Sequence, residues 1–379
     1  MTTKIDSLLI KTALTLILLS VGNNAIAQIM PRVIGGKSAS LPEWPWMSGL
    51  VSKRTSSLNG TFCGATLVAK RWVLTAAHCV TETHEETVPD TDPAETIVTV
   101  TPVSTSSFDV IINHAKLSSS SRGERLTVAE VIIHPEYNSE TLENDLALVR
   151  LRTASQFLPI KLLSPFTSQD APGQTGIALG WGTQDPDTTL TPNILQQVDL
   201  PIVSQDTCSE SMEEIKDGML CAGTGIGGKD TCFGDSGGPL IVFDSESKSW
   251  RQAGITSWGF GCALPDTYGV YTRVQDYATF ISDTICNANE IPAPVTLNLS
   301  IDNQTVSSNW NSSSTAAVSG YRLNFAPYPE AETIQSIELN QLTALSATLE
   351  PGFAYYIAIT SYKDNCLSSF SNIEELIIK

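Results

Sequence analysis

The chain has 379 residues, room for two or three units of ordinary domain size. Hydrophobic residues make up 41% and mean hydropathy is +0.02, which excludes a disordered chain and a polytopic membrane protein. The net charge of −18, from 22 Lys and Arg against 40 Asp and Glu, argues against nucleic acid as a partner, since phosphates need the opposite sign.

Residues 1–27 read as a secretory signal peptide. Lys4 and Lys11 give a positive start, Ala13 to Val21 is apolar, and Ala25-Ile26-Ala27 offers a small-x-small cleavage pattern. The alternative is an uncleaved anchor helix, although the apolar run is short for a bilayer span. Secretion into an oxidising compartment is the expectation. There the even count of eight cysteines suggests four disulfides of open connectivity. Zinc is the rival use, against which stand the lack of any C-x-x-C pair and a total of four histidines.

From Val33 to about Thr272, short apolar runs alternate with Gly, Pro, Asn and Ser; Trp72–Leu74, Val131–Ile133, Leu146–Leu151, Gly176–Leu179 and Leu240–Phe243 are examples. Runs of this length between turn formers are strands, and so many of them point to an all-β barrel or sandwich. One helix follows, with Val274, Tyr277, Ala278, Ile281 and Ile285 at helical spacing. Residues 288–294 read as a Pro-containing linker. Residues 295–379 then show period two, in Val295, Leu297, Leu299 and Ile301, and later in Tyr355, Ile357 and Ile359, around the lone Trp310. A small β-sandwich is expected. Leu349-Glu350-Pro351-Gly352 followed by Tyr355 resembles the corner of fibronectin type III or immunoglobulin-like modules.

Three motifs carry chemistry. His78 closes the apolar run Trp72 to Ala77 and precedes Cys79, so it is positioned; a hydrogen-bonded core histidine is the plainer reading. Gly234-Asp235-Ser236-Gly237-Gly238-Pro239 lets backbone N–H groups converge on one spot, as an oxyanion hole requires, where the plainer reading is a Gly-rich turn. The same segment matches the α/β-hydrolase elbow, but those enzymes place histidine after serine and no histidine follows His134. Asp145 heads the strand Leu146 to Leu151, either as a strand-start cap or as the carboxylate that orients an imidazole.

Thr75-Ala76-Ala77-His78-Cys79, Asp145-Leu146-Ala147-Leu148 and Gly234 to Pro239 together resemble the three signatures of trypsin-like serine proteases. For residues 33–287 the resemblance implies two six-stranded antiparallel β-barrels with a C-terminal helix and the site between the barrels. It implies His78 as general base and acid, Asp145 as its orienting group, Ser236 as nucleophile, and an oxyanion hole from the N–H groups of Gly234 and Ser236. Arg32-Val33-Ile34-Gly35-Gly36 resembles the activation junction, which makes 28–32 a propeptide and Asp235 the partner of a freed Val33 amine. In the family the Asp230 position is the pocket floor that selects Arg or Lys, although a solvated loop charge is the plainer reading. Gly259 and Gly269 match the pocket walls, and Ser257-Trp258-Gly259 matches the strand that pairs with substrate.

The resemblance also implies disulfides Cys63–Cys79, Cys208–Cys221 and Cys232–Cys262. For Cys286 and Cys366 a mutual bond is expected, with free thiols or an intermolecular bond as alternatives. Residues Thr81 to Ser107 exceed the family pattern and are expected to form an acidic surface loop edging the cleft. No cofactor or metal is expected: the acidic loop lacks a calcium-binding pattern, and only Tyr268, where the family usually has proline, raises a sodium effect. The expected function is a secreted zymogen that becomes an endopeptidase for protein substrates with Arg or Lys at the cleaved bond. Its sandwich would dock large substrates or a cell surface. The alternative is a catalytically idle binding protein acting through the sandwich.

Overall fold

The computed structural model describes residues 34–40, 43–88, 95–119, 123–164, 167–183, 192–213, 215–245, 247–286, 291–314, 318–331, 334–363 and 366–378. The expected signal peptide, propeptide, Arg32 and Val33 lie outside these residues, as does residue 288 to 290 of the linker. Six strands, β1 (Met47–Ser52), β2 (Thr61–Ala69), β3 (Trp72–Thr75), β4 (Phe108–Ile112), β5 (Glu124–Ile133) and β6 (Ala147–Leu151), close a barrel in the order β1-β2-β3-β6-β5-β4. Every pairing is antiparallel. β3 and β4 are buried along their whole length, which explains why Trp72–Leu74 of β3 reads as an unbroken apolar run rather than an alternating one.

A second closed cycle follows. β7 (Thr175–Gly180), β8 (Gln196–Val203), β9 (Met219–Ala222), β10 (Pro239–Asp244), β11 (Ser249–Trp258) and β12 (Gly269–Arg273) pair antiparallel in the order β8-β7-β10-β11-β12-β9 and back to β8. Lys37–Ser38 extends this sheet along β8, and Lys161–Leu162 extends it in parallel along β11. Closure removes the free sheet edges that each set of six strands would otherwise expose. The barrel interior holds Ala178, Val198, Leu200, Leu240, Val242 and Tyr271.

The expected single helix is a 3-10 turn, Val274–Tyr277, running into an α-helix, Ala278–Ile285. Val274, Tyr277, Ile281 and Ile285 lie on one side and join the core cluster of the first barrel. The acidic segment after His78 is a correction to the expected loop. Thr81–Val88 and Glu95–Pro102 pair as an antiparallel hairpin that starts directly after the 3-10 turn Ala77–Val80. Its charge count suggests solvated loop, but its threonines, Ile97, Val98 and Val100 supply the β-branched residues that a strand favours.

Two further sheets build the C-terminal sandwich. One is Leu297–Asp302, Thr305–Trp310 and Ala344–Thr348 in that order; the other runs Gln335–Asn340, Gly320–Pro327, Ala354–Lys363, with Cys366–Leu367 and Glu374–Ile377 on its far side. Their shared core holds Leu297, Val306, Trp310, Tyr321, Ile357 and Ile359, and Trp310 meets Tyr321 edge-on at 5.9 Å. Ala293 ties the incoming chain to this core, its carbonyl accepting hydrogen bonds from Ser313 Oγ at 2.9 Å and Ser361 Oγ at 2.8 Å. Among the described residues no helix is long and apolar enough to cross a membrane.

Four disulfides join Cys63–Cys79, Cys208–Cys221, Cys232–Cys262 and Cys286–Cys366. The last joins the protease helix to the sandwich across a sequence separation of 80. A crosslink that closes so long a loop restricts the unfolded chain by roughly 4–5 kcal/mol in the chain-entropy model. Replacing Cys286 and Cys366 by serine should therefore lower the thermal midpoint and split calorimetric unfolding into two transitions. One cooperative transition at the original midpoint contradicts this.

Candidate active site

The seam between the barrels is organised by buried carboxylates. Asp145, at the start of β6, is fully buried, so its charge needs donors. His78 supplies two: its backbone N–H donates to Oδ1 at 2.9 Å, and ring Nδ1 meets Oδ2 at 2.7 Å. The second barrel supplies two more links, because Ser257 Oγ donates to Oδ2 and Thr272 Oγ1 donates to the Asp145 carbonyl at 2.7 Å. Burial works against a charged imidazolium at His78, but the hydrogen bond and charge of Asp145 outweigh it and raise the pKa above the ordinary 6.5. A ring held through Nδ1 has one fixed orientation and leaves Nε2 to exchange a proton.

Ser236 sits in a turn pressed onto the same wall as His78. Its carbonyl accepts from the Gly64 N–H at 2.7 Å, next to Cys63, whose disulfide partner Cys79 follows His78. Gly237 has φ +77°, and a Cβ there would fall 2.2 Å from Thr75 Oγ1 and 2.5 Å from the Gly64 carbonyl. Only glycine lets the serine turn approach the histidine's strand so closely. Gly234, at φ +98°, gives the turn its second left-handed bend.

Asp235 braces that turn from beneath. It is fully buried, and its carboxylate accepts from the backbone N–H of Gly182 at 2.7 Å and of Cys232 at 2.9 Å. Burial is the largest influence and pushes its pKa up to about 6 against those two hydrogen bonds. A Cβ on Gly180 would lie 2.0 Å from Asp235 Oδ1, and one on Gly182 would lie 2.4 Å from the same carboxyl group. Sequence reasoning missed both glycines. The only signal was the Gly180-Trp181-Gly182 spacing, which says nothing of a carboxylate 53 residues away.

Asp230 is also buried. Its carboxylate accepts from Thr231 N–H at 2.8 Å and Ala263 N–H at 3.0 Å, and burial again pushes the pKa up to about 6. Gly269 lies against it, for a Cβ there would sit 3.0 Å from Asp230 Oδ1. Gly259 is different: its Cβ would meet the Tyr268 carbonyl at an ordinary 3.5 Å, so packing does not demand glycine there. Trp258 stacks edge-on with the half-exposed Phe260 at 5.5 Å. Ser257, expected only as substrate-strand backbone, turns its hydroxyl inward to Asp145. The reason is the bulge between Thr256 and Trp258 in the pairing with β12, which re-aims one side chain.

Among the described residues the one cluster with metal-ligand spacing is Cys63, His78 and Cys79; its two sulfurs are joined in a disulfide and offer no thiolate. The acidic hairpin carries its Glu85, Glu86, Asp90, Asp92 and Glu95 side chains outside the described residues.

Two six-stranded barrels with a His–Asp pair at their seam define a chymotrypsin-like fold. The trypsin family model matches residues 33–281, and the chain belongs to that family of serine proteases. Over 252 residues it is 36% identical to mannan-binding lectin serine protease 1 of Mus musculus, an alignment covering 64% of this chain and 34% of the relative. It is 35% identical to the Homo sapiens protein of that name over 259 residues, covering 65% and 35%. It is 34% identical to serine proteinase stubble of Drosophila melanogaster over 276 residues, covering 70% and 32%. The chain thus aligns with about a third of the length of these curated relatives.

Gly182→Ala should displace the Asp235 carboxyl and destabilise the protein by on the order of 1–3 kcal/mol, whereas Gly259→Ala should cost under about 0.5 kcal/mol. Denaturant titration of both variants tests this, and equal losses would contradict it.

Proposed function

We propose that the chain is an exported serine endopeptidase, made as a zymogen, cleaved after Arg32 and cutting protein substrates after Arg or Lys. The observation that carries this reading is the His78–Asp145 pair, held by donors from both barrels in a trypsin-family domain. Ser236 attacks the scissile carbonyl, passes its proton to His78, and the N–H groups of Gly234 and Ser236 receive the developing oxyanion. His78 returns the proton to the leaving amine, then activates the water that hydrolyses the acyl-enzyme. Ser257, Trp258 and Gly259 lay the substrate backbone alongside β11. Asp230, buried beneath Gly269, pairs with the Arg or Lys side chain of the substrate.

Activation follows from the electrostatics of Asp235. A fully buried carboxylate supported by two backbone N–H groups is stabilised further by an ammonium, and cutting after Arg32 frees one at Val33. In support, the Ile34 carbonyl accepts from Asp230 N–H at 3.1 Å, so the chain directly after Val33 already runs beside the pocket. Gln28 to Arg32 contains no cysteine, which leaves the released propeptide untethered. Four disulfides among the described residues fit an oxidising, extracellular location. The sandwich serves as an immunoglobulin- or fibronectin III-like module that docks large substrates.

Ser236→Ala should lower hydrolysis of an arginyl-amide reporter by about five to six orders of magnitude, and Asp230→Ser should remove on the order of 10⁴-fold of the preference for Arg over Ala. Absence of turnover in the cut parent protein favours the idle binding protein instead, and turnover undiminished in Ser236→Ala contradicts Ser236 as nucleophile. The zymogen carries its own pH signature. In the uncut chain Asp235 stands at about 6, above the roughly 3.9 of an unfolded aspartate. The folded state therefore binds more protons between these values, and stability falls as pH rises from about 4 to about 6. Pairing with the Val33 ammonium removes that loss. Thermal midpoints of Ser236→Ala protein, cut and uncut by an added arginine-specific protease, should differ above pH 6 in favour of the cut form and converge toward pH 4. A pH-independent gap contradicts the pairing.

A further inference from the structure

The rim of the Asp230 pocket is apolar and open to solvent. Phe233 is 69% exposed, Phe260 53%, Leu264 50% and Ile226 85%, and all four sit on the loops that Cys232–Cys262 joins. Single exposed apolar residues are ordinary, whereas a group of them on adjoining loops marks a surface that meets another molecule.

Looseness does not explain the exposure. Gly228 N–H donates to the Ala263 carbonyl at 2.9 Å and Asp266 N–H to the Gly225 carbonyl at 2.8 Å, which knits the loop of Ile226 to that of Leu264. A Cβ on Gly261 would lie 2.7 Å from Leu264 Cδ1, so Leu264 folds back over Gly261 beside Phe260. A Cβ on Gly227 would lie 2.6 Å from the Ala263 carbonyl oxygen, which sets Ile226 against the same loop. Across the disulfide, the Phe233 carbonyl accepts from Thr183 N–H at 2.8 Å, and Asp235 N–H closes the turn on the Cys232 carbonyl at 3.0 Å. Phe233 is thereby held at the pocket mouth, next to Gly234.

The rim continues the substrate strand. Ser257, whose hydroxyl reaches Asp145, is the end of that strand nearest the catalytic pair, and Trp258, Gly259 and Phe260 lead away from it. Asp230, which takes the residue before the cleaved bond, accepts from Ala263 N–H on the same side. At roughly 3.3 Å per extended residue, the rim falls beside the third to fifth substrate residues before the bond. A lipid surface suits it poorly, because Lys229 is the only cation in residues 223–234 and 259–268, against Asp230 and Asp266, in a chain of net charge −18. The chain itself contains a matching peptide: its proposed junction reads Gln28-Ile29-Met30-Pro31-Arg32, with Met30 third and Ile29 fourth before the bond.

We propose that this rim binds large apolar residues standing third and fourth before the cleaved bond, and that the junction Ile29-Met30-Pro31-Arg32 of a second, uncut copy is a substrate of the mature protein. Water supplies the new carboxylate oxygen of Arg32 and the proton on the Val33 amine, and maturation passes from cut to uncut molecules. This rests on the endopeptidase reading and adds to it what must precede the Arg or Lys.

The test uses uncut full-length Ser236→Ala protein as substrate and, as enzyme, the parent protein activated by an immobilised arginine-specific protease; the new Val33 terminus is followed by N-terminal sequencing. Cutting after Arg32 is expected, slowed at least about tenfold by Ile29→Ser with Met30→Ser in the substrate, or by Phe233→Ser with Leu264→Ser in the enzyme. Combining the two pairs should cost little more than either alone, a coupling that misfolding does not produce. Turnover of a Gly-Gly-Arg amide by the enzyme variants should be unchanged, and the arginine-specific protease should cut both substrates at the same rate. An enzyme that turns over the amide but leaves the junction intact overturns the proposal alone; one inert on both strikes the endopeptidase reading and the proposal with it. Equal cutting of all variants, additive losses, or binding to phosphatidylcholine vesicles that Leu264→Ser abolishes would also overturn it.

Discussion

Asp145 is the point on which the site turns. Its carboxylate belongs to the first barrel, yet it is satisfied by His78 from that barrel and Ser257 from the second, while Thr272 of the second barrel binds its carbonyl. A buried charge without these partners costs several kcal/mol, so the same bonds that orient the imidazole also hold the two barrels in register. Stability and chemistry therefore share one set of hydrogen bonds. Loosening the seam would misplace the histidine ring before it unfolded either barrel.

The same logic repeats at Asp235 and Asp230. Each carboxylate is buried and held by backbone N–H groups, and each stands at about 6 because burial dominates. Neither is at rest in electrostatic terms, and a cation is the group that would relieve each. Gly180 and Gly182 leave no room for a Cβ beside the Asp235 carboxyl group, and Gly269 lies tight against Asp230.

The barrel strands and the motifs around His78, Asp145 and Ser236 were legible in the sequence because local runs carry them: apolar stretches bounded by turn formers, and glycines flanking a serine. What escaped was set by distance. The hydroxyl of Ser257 reaches a carboxylate 112 residues away through a bulge that only the pairing with β12 creates. The hairpin after His78 hid behind its charge count, although its β-branched residues were in plain view. The seam between barrel and sandwich, where Lys161 pairs with Glu338, has no local signature at all, since each residue alone reads as a solvated surface charge.

The most direct test of this account is a pH titration of the His78 Nδ1 proton by NMR, in the parent protein and in Asp145→Asn. The account predicts a strongly downfield proton that titrates above 6.5 in the parent and shifts to lower pH when the carboxylate is gone. A ring that titrates at or below 6.5 in the parent, or the same titration in both proteins, would contradict it.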